Sequence, residues 1–332
     1  MIGTAENTYD AVTGAGSAES PEATAVRCPI CGSVRTGELL EAPDRFHLHT
    51  QMYRLACCSE CATVWLPNPP APEAIGAHYT EDYHRAIVAA GEGAAASRWK
   101  DQVKLIRQYK TGGALLDIGC SSGGFLSNMK SGAWQLCGIE MEASTAARAR
   151  ATTGAEVFVG DAVEAPFPAA SFDVITCFDV LEHVYNPREF LTKVLHWLKP
   201  GGIFYAMMPN IASWEARAFG DHWFGLELPR HLFHFSPKSL RCLMGDIGFS
   251  EVLVKTPAIS YIERSSGYVC ATTLSRLGFS VTPQAKRRQA SLPWKVVRKG
   301  LRLGVIAPLA QIASLAGCGP CMEVVFSNGS DQ

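Results

Sequence analysis

Two cysteine pairs, CPIC (28–31) and CSEC (58–61), are the first residues here whose type and spacing imply chemistry. A Cys-x-x-Cys turn aims two thiolates at one point, and two such turns close a sulfur tetrahedron of the kind that holds zinc. With Cys28, Cys31, Cys58 and Cys61 all ligating, no coordination position stays open, so the metal is expected to be structural. The alternative is four reduced cysteines lining a small core. Gly32 suits the sharp turn behind Cys31, and Ala62 takes the matching place behind Cys61 with less freedom. His47 and His49 fall on one strand face by alternation and read as packing or solvent-facing side chains. Cys57 reads as a spectator, and a third pair, Cys318 and Cys321, has no partner pair.

Carboxylates form the second group. Three short apolar runs carry an acid at or near their ends: Asp117, Glu140 and Asp161. A glycine-rich turn, GCSSGG (119–124), follows the first. Acids at the second and third positions suit neutral donors such as a ribose diol and an exocyclic amine. The turn departs from G-x-G-x-x-G and no basic residue flanks it, which argues against a pyrophosphate.

Histidines form the third group, and imidazole suits proton removal near neutral pH. His183 sits in LEHV (181–184), expected in the first turn of a helix, where packing and pocket roles stay open. His231 and His234 lie in PRHLFHFS (229–236). Ser236-Pro237 reads as a helix start, so the residues before it are expected to be extended. Alternation then sends His231, Phe233 and Phe235 to one face and Leu232 and His234 to the other. Only one of the two histidines can face a pocket on that reading, and His234 is taken as structural.

The elements that must position these groups alternate between strand and helix from residue 113 onward, which implies a parallel α/β sheet with right-handed crossovers. Ligands then bind beyond the carboxyl ends of the strands. ALLDIG, WQLCGIE, AEVFVGD, FDVITCF and GGIFYAMMPN are the expected strands, and Gly132 is expected to end the first crossover helix. FSEVLVKTPA and MEVVFSNG are expected to pair antiparallel. The expected division is a disordered leader (1–26), the cysteine module (27–66), a connector with helices (67–112) and the α/β domain (113–332). Within the last, the aromatic-rich 211–236 is a candidate substrate wall, and 261–320 a helical insertion.

Composition narrows the function. The 332 residues carry a formal net charge of -1, with a pI near 6.7, which argues against a broad nucleic-acid-binding face. The N-terminus has neither the basic nor the apolar region of a secretory signal, and twelve unevenly spaced cysteines suit a reducing compartment, so the protein is expected to be cytoplasmic. The apolar run 301–319 is broken by Arg302, Pro308 and Gln311 and reads as a buried helical segment. A basic run precedes it, so 286–318 could also touch a membrane surface; the plainer reading is a solvated helix beside a packed one. Oligomeric state is not legible.

LLDIGCSSGGFL, GIEMEASTAARAR and the run from GDAVEAPF to FYAMMPN resemble the class I S-adenosylmethionine-dependent methyltransferases over about 113–210. The resemblance implies a Rossmann-like seven-stranded methyltransferase sheet with helices on both faces, here with a small zinc-ribbon-like module in front and a helical C-terminal insertion. It implies that Asp117, Gly119, Cys120 and Gly123 shape the methionine pocket and that Glu140 accepts from the ribose hydroxyls. Asp161 and Ala162 would meet the adenine, and Phe178 would lie under the cofactor. Ser121 stands where glycine is commoner. A cysteine-pair module ahead of such a domain is similar to methyltransferases of polysaccharide and natural-product pathways, and to sugar C-methyltransferases. The latter carry a histidine base in a Glu-His-Leu context, and matching His-Leu onto His-Leu carries that base to His231, with His183 as a second catalytic candidate. Arg230 replaces the acidic neighbour and no tyrosine precedes it, which favours an oxygen acceptor on a sugar or secondary metabolite over carbon or nitrogen. An RNA base methyltransferase that grips RNA through the zinc module, and a non-catalytic scaffold, are the competing readings.

Overall fold

The computed structural model describes residues 26–47, 49–81, 83, 99–130, 133–279 and 300–329. Residues 1–25 of the expected leader, Gly132 and the basic positions Lys286, Arg287, Arg288, Lys295, Arg298 and Lys299 lie outside the described residues.

The larger sheet has seven strands in the order β10-β11-β8-β7-β4-β5-β6. Its centre is β4 (Gly112–Ile118), flanked by β5 (Ala133–Glu140) and β7 (Phe172–Phe178), both parallel to it. β6 (Glu156–Val159) extends one edge, and β8 (Leu198–Pro209) the other. Leu115, Leu116, Val174, Ile175 and Phe204 are fully buried, as strands covered on both faces require. The chain then reverses. β11 (Cys321–Asn328) pairs antiparallel with β8, and β10 (Phe249–Lys255) antiparallel with β11, Phe249 opposite Asn328.

Local chemistry sets the helix ends. The short α1 (Lys100–Tyr109) leads into β4, and α2 (Gly124–Met129) and α3 (Ala143–Thr153) are the first crossovers. The Glu142 carboxylate caps α3, accepting from the Ser144 and Thr145 amides, and Gly154 ends it at φ 73°. Leu181–His183 is a separate 3-10 turn, not the first turn of a helix as the sequence suggested. The helix α4 (Pro187–Trp197) starts later because Asn186 caps it and Pro187 takes the first helical position. After α5 (Trp214–Phe219), α6 (Pro237–Ile247) starts at Ser236, whose hydroxyl accepts from the Ser239 amide at 3.1 Å, and stops at Gly248.

A second sheet has the order β1-β2-β3-β9. β1 (Thr36–Pro43) and β2 (Met52–Cys58) form an antiparallel pair, and β3 (Val64–Trp65) adds to β2. The fourth strand is β9 (Phe233–His234), with Val64 opposite His234 and Trp65 opposite Phe233. The Leu66 amide extends the pairing by donating to the Leu232 carbonyl at 2.8 Å. One hydrophobic core runs from Cys28, Leu55 and Trp65 through Phe233 and Phe235 to Leu116 and Phe204.

In the insertion, α7 (Ile262–Arg276) is followed beyond the undescribed stretch by a π turn (Arg302–Ile306) and α8 (Ala307–Leu315). The sequence suggested a buried helical segment at 301–319, but Leu303, Ile312 and Leu315 are 63%, 63% and 80% exposed. The helix meets the protein through the buried Ala310 and Ala313 and through Ser314, whose hydroxyl donates to the Thr256 carbonyl.

Candidate functional site

The two cysteine pairs converge. Their four Sγ atoms lie within 4.8 Å of one another, with Cys28 and Cys61 3.5 Å apart and Cys31 and Cys58 3.6 Å apart. The turns match: Gly32 donates to the Cys28 carbonyl and Ala62 to the Cys58 carbonyl, each at 2.9 Å. Both turn residues are left-handed, Gly32 at φ 73° and Ala62 at φ 59°. A metal–sulfur distance of about 2.3 Å in a tetrahedron implies sulfurs about 3.8 Å apart, so the donor set fits a zinc-sized ion. His47 and His49 do stack, at 5.3 Å between rings, but His47 lies in a turn and neither is on a strand.

At the carboxyl ends of β4 and β5 the glycine-rich turn is tightly held. Gly119 (φ 74°) and Gly123 (φ 83°) are left-handed, and a Cβ on either would lie 2.5 Å from Val180 Cγ2 or 2.6 Å from Thr153 Cγ2. Ser121 is left-handed too, at φ 49°, and its amide donates to Glu140 Oε2 at 3.0 Å. Glu140 Oε1 accepts from the Glu142 amide at the same distance, so the acid is aimed across the turn with lone pairs to spare. Asp117 is buried beneath, accepting from the Thr176 hydroxyl at 2.7 Å, and burial pushes its pKa up to about 7. Burial also pushes the Cys120 thiol up to about 12. Asp161 caps the short turn Ala162–Glu164 through the Val163 amide at 3.0 Å. Phe178 packs against Phe125 and Tyr205, and Trp99 stacks on it at 5.3 Å.

Val180 links this edge to the histidines, because the next residues form the turn that carries Glu182 and His183. His183 Nδ1 donates to the Arg230 carbonyl at 2.9 Å, with the Tyr79 hydroxyl 3.0 Å from the same nitrogen. His231 Nδ1 donates to the Gly225 carbonyl at 2.9 Å, its ring is 4.7 Å from that of His183, and its Nε2 is 3.6 Å from Glu227. Burial pushes both imidazoles below their ordinary range, His231 far below, with His183 and His234 adding to the effect on it. Burial thus favours the neutral form of both, with Nδ1–H tied to a carbonyl and Nε2 as the acceptor nitrogen. Glu182 is 2% exposed and neither carboxyl oxygen has a hydrogen-bond partner among the described residues; burial and then Asp179 push its pKa well up. Glu182, His183 and His231 each place a donor atom within 4.8 Å of the others.

The two histidines do not divide between opposite strand faces as alternation predicts. His231 and His234 are both buried, with rings 6.1 Å apart. The strand is only Phe233–His234, and the Arg230 and His231 amides fold back to the Glu227 carbonyl, so alternation does not reach residue 231. Phe233 and Phe235, inside the regular stretch, do share a face and stack at 5.8 Å. His234 donates from Nε2 to the Leu226 carbonyl at 3.0 Å, and burial draws its pKa down to about 4. Of the aromatics in 211–236, Trp223, Phe233 and Phe235 are core side chains.

Several residues had no signal in the sequence. Arg230 is 1% exposed and bonds Asp44 through both terminal nitrogens, at 3.1 and 3.3 Å. Its guanidinium also lies over the Tyr83 ring, 4.8 Å from the centroid. Burial would raise the Asp44 carboxyl, but the Arg230 charge overcomes it and holds the acid below its ordinary value. Asp44 in turn accepts from His47 Nδ1 at 2.8 Å. Tyr79 and Trp99 were likewise invisible, because a lone aromatic in a connector carries no spacing.

The strand order, its closing antiparallel hairpin and the acids at the ends of parallel strands define a Rossmann-like methyltransferase fold. Residues 92–254, just under half of the chain, match a family model described as a methyltransferase domain, and this match together with the fold supports a class I S-adenosylmethionine-dependent methyltransferase domain. Among curated proteins it is 26% identical over 189 residues to a probable S-adenosylmethionine-dependent methyltransferase of Mycolicibacterium smegmatis, covering 54% of this chain and 66% of that one. It is 32% identical over 120 residues to a ubiquinone biosynthesis O-methyltransferase of Cronobacter sakazakii, covering 34% of this chain and 49% of the relative. The matches thus span about half to two thirds of those relatives' lengths. Phosphoethanolamine N-methyltransferase 2 of Haemonchus contortus shares the fold, with a TM-score of 0.51, 17% identity, and coverage of 80% of this chain and 61% of that one.

Proposed function

We propose that this protein transfers a methyl group from S-adenosylmethionine to an oxygen of a small-molecule acceptor, a sugar or secondary metabolite, with His231 as the base. The observation that carries the assignment is the buried His231, whose Nδ1–H is fixed by the Gly225 carbonyl and whose Nε2 lies 3.6 Å from Glu227. The O-methyltransferase relatives support oxygen as the acceptor atom. The cofactor supplies an electrophilic sulfonium methyl when bound. Glu140 would accept from its ribose hydroxyls, Asp161 and Ala162 would meet its adenine, and Asp117, Gly119, Cys120 and Gly123 would hold the methionine end. Phe178 and Trp99 form an apolar patch that keeps water from that end. His231 Nε2 would take the acceptor's proton, and Glu227 would stabilise the imidazolium. His183, held by Arg230 and Tyr79, would orient the acceptor. Four thiolates would hold a structural zinc, and a reducing cytoplasmic setting would keep them free, as all twelve cysteines are here.

The test separates binding from chemistry. Glu140→Ala should abolish S-adenosylhomocysteine binding in calorimetry. His231→Ala should keep that binding and lower turnover about 10²- to 10⁴-fold on whichever phenol or sugar hydroxyl of an acceptor panel is methylated. Full turnover by His231→Ala would remove the base, and unchanged binding by Glu140→Ala would remove the cofactor site.

A further inference from the structure

The turn after β7 buries an acid whose hydrogen-bonding capacity goes unused. Both carboxyl oxygens of the buried Glu182 lack a hydrogen-bond partner among the described residues. A buried polar group is costly to leave unmade, so this carboxyl points to a partner supplied from outside the fold. Its main chain is firmly held. The Leu232 amide donates to the Glu182 carbonyl at 2.8 Å, which ties the turn to the segment that carries His231. The backbone beside the site is strained on both of its segments: Asp179 and Glu227 are left-handed, at φ 55° and 40°. Strain of this kind collects where side chains must be aimed.

The neighbours define what Glu182 is aimed at. Glu182, His183 and His231 each place a donor atom within 4.8 Å of the others. Both imidazoles have Nδ1 engaged by a backbone carbonyl, which leaves Nε2 for a ligand. One oxygen hydrogen-bonded to two such groups, at about 2.8 Å each and a tetrahedral angle, holds them about 4.6 Å apart. The hydroxyl that reacts has a single proton. That proton passes to His231 as the oxygen–methyl bond forms and the methyl–sulfur bond breaks, leaving neutral S-adenosylhomocysteine. Glu182 is therefore free to bond a different atom of the acceptor. Burial, with the charges of Asp179 and Glu227, favours its protonated form. A carboxylic acid gives one hydrogen and accepts another, and a hydroxyl does the same, so the two groups are complementary.

We propose that Glu182 selects the acceptor: its carboxyl hydrogen-bonds a second hydroxyl next to the one that His231 deprotonates, so the acceptor is a vicinal diol. The proposal rests on O-methylation with His231 as base, and it adds the group that places the reacting oxygen.

The test compares acceptors in pairs, catechol against phenol and methyl mannoside against its 2-deoxy form, which also separates phenolic from sugar diols. The wild type should favour at least one diol over its partner about a hundredfold or more in kcat/KM. E182L should lose that preference by slowing the diol. E182Q, which keeps a donor and an acceptor, should restore most of it. S-adenosylhomocysteine affinity should stay near wild type in both variants. Equal rates within each pair, or the same loss in E182Q as in E182L, would overturn the proposal. So would a metal ion, beyond the one expected at the cysteines, that the wild type binds and E182Q does not. No methylation of any hydroxyl, with S-adenosylhomocysteine still bound, would overturn O-methylation itself and the proposal with it.

Discussion

Two hydrogen bonds measure how differently the cofactor edge and the histidine edge are made. The Ser121 amide reaches Glu140 across 19 positions of sequence, while Arg230 reaches Asp44 across 186. The first edge is a set of turns between neighbouring strands, and each acid lies where its own strand ends. The second is a junction: a turn after β7, a loop after α5, and residues of the cysteine-bearing sheet, joined by strand pairing and one buried ion pair. The difference teaches that the methyltransferase sheet carries the proposed cofactor groups locally, whereas the proposed acceptor side is assembled only where the small sheet docks.

The largest way to break that contrast is Arg230→Ala. It leaves the buried Asp44 without its guanidinium, held only by His47 and the Phe46 and His47 amides, which costs about 3–5 kcal/mol. Urea unfolding should show that loss, and the cysteine-bearing sheet should open first in hydrogen exchange. Arg230→Met with Asp44→Leu should recover most of it, since neither charge is then stranded. A loss under about 1 kcal/mol for Arg230→Ala would mean that strand pairing alone joins the edges.

The pH dependence sharpens the comparison, because the two edges should respond with opposite sign. His234 is depressed from an ordinary 6.5 to about 4, so the stability it contributes is present above pH 6.5 and is lost as pH falls toward 4. Asp117 is raised from 3.8 to about 7, so its contribution is present below pH 3.8 and is lost as pH rises toward 7. The effects are at most about 3 kcal/mol for His234 and about 4 kcal/mol for Asp117, and they oppose each other over the same window. His231 and His183, also depressed, add to the sign of His234. Relative to wild type, His234→Gln should be more stable at pH 5 than at pH 7, and Asp117→Asn the reverse. Melting curves at the two pH values read both, and parallel shifts in the two variants would contradict the assignment.

A smaller effect, on function alone, tests whether the acceptor side depends on the sulfur cluster. Cys58→Ser should release the zinc proposed for the sulfur cluster and lower turnover about a hundredfold, the scale of a misplaced catalytic group. S-adenosylhomocysteine affinity should stay near wild type, because no residue of the cysteine turns touches Asp117 or Glu140. Equal losses in binding and turnover would mean that the two edges fold as one unit.

What the sequence told and what it withheld follow the same division. Asp117, Glu140 and Asp161 end apolar runs at the spacing of strand, helix and strand, so their positions could be read directly. Ser236 with Pro237 announced α6, and the antiparallel match of 249–255 with 321–328 followed from two terminal strand patterns. The two-residue strand β9 was too short to impose parity on His231. Arg230 looked like a missing acid, since its partner lies in another sheet and pairing at that range leaves no local periodicity. The insertion was misread because apolar content was equated with burial, although α8 turns its alanines inward.

The smallest test concerns the turns that hold the sulfurs. Gly32 and Ala62 occupy the same left-handed position, with the same bond back to the first cysteine of each pair. A Cβ at Gly32 would meet nothing within 4 Å, so sterics with neighbours do not distinguish the two sites. The difference between them is then backbone strain alone, about 1–2 kcal/mol per left-handed alanine, partly offset because glycine loses more freedom on folding. Ala62→Gly should therefore stabilise the protein by roughly 0.5–1 kcal/mol, and Gly32→Ala should destabilise it by as much. The double exchange should be neutral within error, since the residues swap places in equivalent turns. Urea midpoints at constant slope measure all three. A double exchange that is clearly destabilising would show that the two turns differ in shape, and that the tetrahedron of sulfurs is not built from matched halves.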